Sequence, residues 1–327
     1  MDTGERVMLR ASLRRLLIET DAAKLGPALA EFGWDDLLAA EPHEAVPALF
    51  EAQGETLVAS PAIGSVMGAA AWAGRDGDSP PLAVLPGPGA GAQPASVLDA
   101  GAVRVDGYLP AGAAGATRLV VAARRGDDLA LVTVEPRDGL RRRPVEGLDP
   151  WLELVHLEGR LDLGPEALAD GADAARAWER AVAAGRRALA HELVGVATAM
   201  LDLAVDHAKQ RSQFGRPIGT FQALQHRLAD ARVGLTAAEM AAAEAWTGPE
   251  TISALLAKLW AGRAARLVAK QAQQTLGGMG FTWEHRFHHY FRRALALDSL
   301  LGSAPDLTAE IGRQLVTGGA VPQLVSL

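Results

Sequence analysis

Three segments, residues 174–211, 220–246 and 249–276, are rich in Ala and Leu, and a proline (Pro249) opens the third. Runs of this length with helix formers and few breakers can only become long helices, and long apolar helices must pack on one another. Along the second, Phe221, Leu224, Leu228, Ala231 and Leu235 recur at spacings of three and four, which predicts one buried face. The texture before Gly164-Pro165 is different. From about 82 to 163 the runs "AVRVDGYL", "TRLVVAAR", "DLALVTVE" and "LELVHLEGRLDL" read as short strands, with a turn at Gly126-Asp127, and a small antiparallel sheet is expected. Residues 7–58 read as short helices broken by Gly26 and Pro42, and the Gly- and Pro-dense stretch after Gly74 marks a boundary. The expected fold class is α+β, divided as a helical domain over 1–78, a β domain over 79–168 and a four-helix-type domain over 169–327.

Composition narrows the function. At 327 residues with 49% hydrophobic side chains the chain can bury sizeable cores, and a net charge of -7 argues against a sequence-independent grip on nucleic acid. With no cysteine there are no disulfides, Fe–S ligands or thiol nucleophiles. No run of 18 apolar residues and no apolar signal core occur, and a cytoplasmic location is expected.

The corner "RSQFGRPIGTFQ", residues 211–222, has the chemistry of an anion site. The guanidinium fork of Arg211 suits a phosphate, Gly215 and Pro217 turn the chain, and Thr220 is the expected N-cap of the next helix, whose positive end favours an anion. The plainer alternative is an arginine that caps a helix C-terminus. About sixty residues later "QTLGGMGFTWEHRFHHYFRRA", residues 274–294, brings glycines that let backbone approach a ligand or another chain. His285, His288 and His289 cluster there without a fourth ligand pattern, so no metal site is expected. "HELVG" at 191 has glycine at 195 where a zinc-protease helix needs histidine. The triplet Arg141, Arg142 and Arg143 reads as a solvated turn rather than a phosphate contact.

In order and spacing the two stretches resemble the acyl-CoA dehydrogenase family, specifically over residues 174–303 and diffusely before them. The helix–sheet–helix order is similar to that family's fold, with the N-terminal helical domain shortened. The resemblance implies that Arg211, Phe214 and Gln222, with Gln274 and Gly278, contact the ADP half of an FAD held mainly by a neighbouring subunit. It also implies where a catalytic carboxylate belongs. One family position for the base corresponds to Leu301, before Gly302-Ser303, and the other to Gly185. Neither residue can take a proton. Asp298, one turn before Leu301, and Glu192, two turns beyond Gly185, are the candidates for a displaced base; the alternative is a charge at a helix surface or subunit interface.

The stretches matching the family's flavin-ring segments, "VLPGPGAGAQ" and "YLPAGAAGAT", contain small residues and no tryptophan or acid. Together these features resemble the non-catalytic subunit of actinobacterial heterotetrameric dehydrogenases of the steroid side-chain type. The implied arrangement is an α2β2 complex with a longer catalytic subunit, sharing FAD across the interface and acting on a CoA thioester. Two other readings stay open: a self-sufficient homo-oligomeric dehydrogenase using Asp298 or Glu192, and a flavin-free scaffold or CoA-thioester binding protein.

Overall fold

A computed structural model describes residues 1–75, 79–99, 101–136, 139–163, 168–248 and 250–317. Gly164 and Pro165, expected at a boundary, lie outside them. The chain opens with α1 (Thr3–Glu19), started by a reciprocal capping box between Asp2 and Glu5. Then follow α2 (Leu25–Phe32), α3 (Trp34–Ala40), α4 (Pro42–Thr56) and α5 (Ala62–Trp72). Gly33, at φ 86°, makes the left-handed joint between α2 and α3.

The middle of the chain is an eight-stranded sheet: β1 (Leu82–Ala83), β2 (Val97–Asp99), β3 (Ala102–Leu109), β4 (Leu119–Arg125), β5 (Asp128–Val134), β6 (Leu140–Pro144), β7 (Val155–Asp162) and β8 (Leu168–Asp170). The order is β6-β7-β3-β2-β4-β5-β8, with β1 beside β4. Hairpin β4–β5 closes Arg125 onto Asp128, so Gly126-Asp127 is the expected two-residue turn. The sheet is not purely antiparallel. β1 and β2 both run parallel to β4, because β1 and β2 are separated from it in sequence by long excursions rather than tight turns. Arg141–Arg143 lie on edge strand β6 and not in a turn; charged side chains on an edge block further strand pairing.

Helix α6 (Gly171–Gln210) is the axis of the molecule. At 40 residues it spans roughly 60 Å. It packs against α4, α5 and β5 as well as α7 (Gln222–Glu244), α8 (Glu250–Leu276) and α9 (Phe287–Ser299); α10 (Ala304–Val316) leans on α8. By length and composition α6 could cross a bilayer, but 72% of its apolar window is buried by these neighbours. Its small side chains allow close crossing. A β-carbon on Gly195 of α6 would strike the Glu51 carbonyl of α4, and one on Gly54 of α4 would strike the Glu192 carbonyl of α6. In α7 the stripe is graded: Ala231 and Leu235 are buried, whereas Phe221, Leu224 and Leu228 are only half-buried.

Candidate functional site

Arg211 ends α6 with extended backbone, its N–H donating to His207 O at 2.8 Å. A two-stranded ribbon follows, Ser212–Gln213 against Arg216–Pro217, closed by Ile218 N–H on Arg211 O. The turn needs positive φ twice. Gly215 takes 78° freely, but Phe214 takes 54° and remains 91% exposed. A left-handed conformation costs a bulky residue about 1–2 kcal/mol, and among the described residues none repays it by burying the ring. Phe221 meets it edge-on at 6.2 Å, and Arg216 caps Phe221 at 4.3 Å. Thr220 is not the N-cap: Phe221 holds that position, while the Thr220 hydroxyl donates to Pro217 O at 2.8 Å, because the ribbon continues into a 3-10 turn before the helix begins.

The second stretch comes to the same end of the bundle. Helix α8 finishes at Leu276 and continues into a 3-10 turn over Gly277–Phe281. Gln274 and Gly278 are exposed, and a β-carbon on Gly278 would meet nothing within 4 Å. Burial first, then the charges of His285 and Arg211, lower the pKa of His207, so the two stretches share one electrostatic neighbourhood. Gln222 opens α7, exposed on the same corner. Around these polar groups Met279, Phe281 and Trp283 are 47%, 79% and 76% exposed. A guanidinium, two amides, an open backbone and unburied aromatics form an outward-facing set of hydrogen-bond donors and stacking surfaces. His285 itself caps α9, accepting from Phe287 N–H through Nδ1, and His289 stacks on Trp151 at 3.8 Å.

The two positions for a base meet in the core. A β-carbon on Gly185 would lie 2.6 Å from Leu301 Cδ1 and 2.8 Å from Met67 Sδ, so leucine, methionine and the bare helix fill one another's space. Leu301 is 1% exposed with φ at 54°, and its segment is held through its carbonyls. Arg186 Nε donates to Leu301 O at 3.1 Å, and Lys258 Nζ donates to both Gly302 O and Asp298 O at 3.2 Å. Burial pulls Lys258 down to about 8. Asp298 is engaged on both oxygens, accepting from Arg266 Nη2 at 2.6 Å and from Ala304 N–H at 3.2 Å.

Glu192 and Asp298 are thus not charges at a helix surface; both are buried in ion pairs, because each lies on a helix face covered from more than one side. Glu192 Oε1 accepts from Arg293 Nη1 at 3.2 Å. Arg293, fully buried, also pairs with Asp149 of the β region and donates to Leu57 O, tying three parts of the chain together. Burial raises Glu192 to about 7, against the opposing pull of Arg293. The carboxylate lines a cavity of about 20 Å³ with Gln53, whose buried Oε1 has no donor among the described residues. That volume holds about one water.

The small-residue stretches over 84–93 and 108–117 lie against the helices. Gly89 N–H donates to Ser299 O and Trp178 Nε1 to Ala92 O, both at 2.9 Å, and Gly87 sits under the Tyr108 ring.

The chain is thus a long-helix bundle behind a small mixed sheet, with an exposed Arg-Phe-Gln corner at one end. The family model for the acyl-CoA dehydrogenase C-terminal domain matches residues 174–316. Acyl-CoA dehydrogenase IpdE2 of Mycobacterium tuberculosis is 46% identical over 115 residues, 35% of this chain and 36% of its own. The matched part therefore spans about a third of that relative's length. Among solved structures, a variant of the Tcur3481-Tcur3483 steroid acyl-CoA dehydrogenase aligns over 96% of this chain and 98% of its own, at 26% identity and a TM-score of 0.76. The ChsE4-ChsE5 complex from Mycobacterium tuberculosis aligns over 98% and 99% at 22% identity and a TM-score of 0.78. Residues 174–316 are thus an acyl-CoA dehydrogenase C-terminal domain, and the chain carries the acyl-CoA dehydrogenase fold throughout.

Proposed function

We propose that this chain is the accessory subunit of a heteromeric, FAD-dependent acyl-CoA dehydrogenase. In this reading Arg211, Phe214, Gln222, Gln274 and Gly278 grip the ADP half of an FAD held by a longer catalytic subunit in an α2β2 complex. The observation that carries it is the contact of Leu301 with Gly185 and Met67, which fills both base positions with hydrocarbon, while the corner at the far end of α6 stays exposed. Bound FAD supplies the acceptor for the β-hydride. This chain's own residues position that group; the carboxylate that takes the α-proton belongs to the partner. A steroid side-chain CoA thioester is the proposed substrate class, supported by the steroid dehydrogenase that shares the fold. A cytoplasmic site of action is part of the proposal, supported by the absence of cysteine.

The test is to purify the chain alone and co-expressed with a full-length family member that retains the glutamate, and to compare flavin absorbance with mass from light scattering. A colourless lone chain and a complex with one flavin per heterodimer support the reading. A yellow, active lone chain overturns it, and a colourless complex points instead to the flavin-free scaffold. One observation favours a self-sufficient enzyme: at about 7, Glu192 has the proton affinity of a general base. Turnover by the lone chain that disappears in Glu192→Gln is what that alternative requires.

A further inference from the structure

The register of the sheet sets three arginines in one row. Alternation along the strands puts Val103 and Val105 of β3, Leu157 of β7 and Ala123 of β4 in the apolar cluster on one face, so Arg104, Arg160 and Arg124 share the other. Arg104 stands directly opposite Arg160, and Val97 of β2 pairs with Arg104 on one side and with Arg124 on the other. At about 4.8 Å per strand, the row runs roughly 5 Å from Arg160 to Arg104 and roughly 10 Å further to Arg124.

All three are exposed, and none has a hydrogen bond or ion pair through its guanidinium among the described residues. Like charges directly opposite on paired strands repel, so Arg104 and Arg160 do not hold the sheet together. Carboxylates flank the row. On one side Asp99 and Asp162 both pair in register with Ala102. On the other, Asp106 and Glu158 face each other, engaged by His156 at 2.9 Å and Arg143 at 3.6 Å. The result is a positive stripe one guanidinium wide between two acidic rows.

That pattern selects its occupant by charge. One phosphate can bridge Arg104 and Arg160 but cannot also reach Arg124, roughly 10 Å away. A nucleic acid duplex carries phosphates on two strands and would meet the flanking carboxylates. A helix with a single line of acidic residues fits, because positions i, i+4 and i+11 lie along one side at about 0, 6 and 16 Å. Basic residues beside that line would face the two acidic rows. We propose that this row docks an acidic α-helix of a partner protein, with carboxylates at that spacing on Arg160, Arg104 and Arg124. The proposal is independent of the accessory-subunit reading.

The probe is a fluorescein-labelled, alanine-rich helical peptide of about twenty residues, with glutamates at i, i+4 and i+11 and lysines beside them. Its anisotropy is followed as the full chain is added, and a peptide of the same composition with its glutamates spread around the helix is the comparison. The expected result is saturable, salt-sensitive binding at one per chain, about fivefold or more tighter than the comparison peptide. Arg104→Gln, Arg160→Gln and Arg124→Gln should each weaken it about two- to fivefold, the range of an exposed ion pair. Each should keep the unaltered melting temperature, since no guanidinium partner is lost. Arg211→Ala should leave peptide binding unchanged, which separates this surface from the flavin corner. Equal affinity for the two peptides overturns the docking surface, as does an equal loss in Arg15→Gln or Lys24→Gln, whose side chains are exposed on the N-terminal helices. Displacement of the peptide by an equal concentration of inorganic triphosphate assigns the row to a small anion and overturns the protein partner.

Discussion

Leu301 Cδ1 lies 2.6 Å from the place where a β-carbon on Gly185 would stand, so residues 116 positions apart define a single packing site. The two are coupled through space, and the coupling is measurable. Gly185→Ala alone overpacks the site and should cost about 1–3 kcal/mol. Leu301→Ala alone opens a cavity and should cost about 2–5 kcal/mol. In the double variant the new methyl occupies part of the vacated space, so the losses should fall short of additive by about 1 kcal/mol or more. Urea denaturation of all four proteins checks this; strict additivity means that the two positions do not share a site.

Stability should depend on pH through Glu192. Its carboxyl is raised from 4.5 to about 7 in the folded protein, so the folded state holds a proton that the unfolded state has released. The stabilisation is complete below about 4.5 and is lost as pH rises through about 7. Its size is a few kcal/mol at most, from about 1.4 kcal/mol per unit. Glu192→Gln, which keeps an acceptor for Arg293, should flatten this part of the profile. Denaturation midpoints between pH 5 and 8 decide it, and an unchanged slope in the variant assigns the dependence to another group.

Arg211 should matter to flavin and not to folding. Among the described residues no hydrogen bond or ion pair engages its guanidinium, and it stands exposed on the ribbon's flank. Arg211→Ala should leave the melting temperature of the lone chain within about 2 °C, as exposed substitutions do. In the heteromeric complex proposed above it should lower FAD affinity by roughly tenfold or more, the value of charge-assisted bonds to a phosphate. Flavin retention through gel filtration is the readout. Full retention would make Arg211 a plain helix terminus.

The long helices and most strands were legible because period and breakers act locally: the expected segments 174–211, 220–246 and 249–276 became α6, α7 and α8 with ends shifted by three residues or fewer. Helix α5 was not legible. "AIGSVMGAAAW" is apolar on every side, having no period to read, because it is buried against α6, β1 and β4. The parallel pairing of β1 and β2 with β4 depends on contacts remote in sequence. At the site, the outward corner followed from its turn residues, whereas the contact of Met67 with the base positions joins three distant stretches. Burial of Arg293 did leave a signal: it falls on the stripe of Phe287, Tyr290, Ala294 and Leu297, where an arginine needs acidic partners.

Gly195 shows the same limit and gives a sharp test. In the sequence it only marked the absence of a second histidine in "HELVG"; in the fold it lets α6 cross α4, with Gly54 doing the same from the other side. An added methyl at either position runs into backbone carbonyl, which cannot rotate away as a side chain can. Gly195→Ala and Gly54→Ala should therefore each cost at least the 1–3 kcal/mol of ordinary overpacking, although alanine is the better helix former. Gly312 of α10 is the control, since a β-carbon there meets nothing within 4 Å. Gly312→Ala should raise stability by about 0.5–1 kcal/mol from propensity alone. Opposite signs in thermal denaturation establish the α4–α6 crossing as a backbone contact. Equal gains at all three positions would show that the helices are not in contact there.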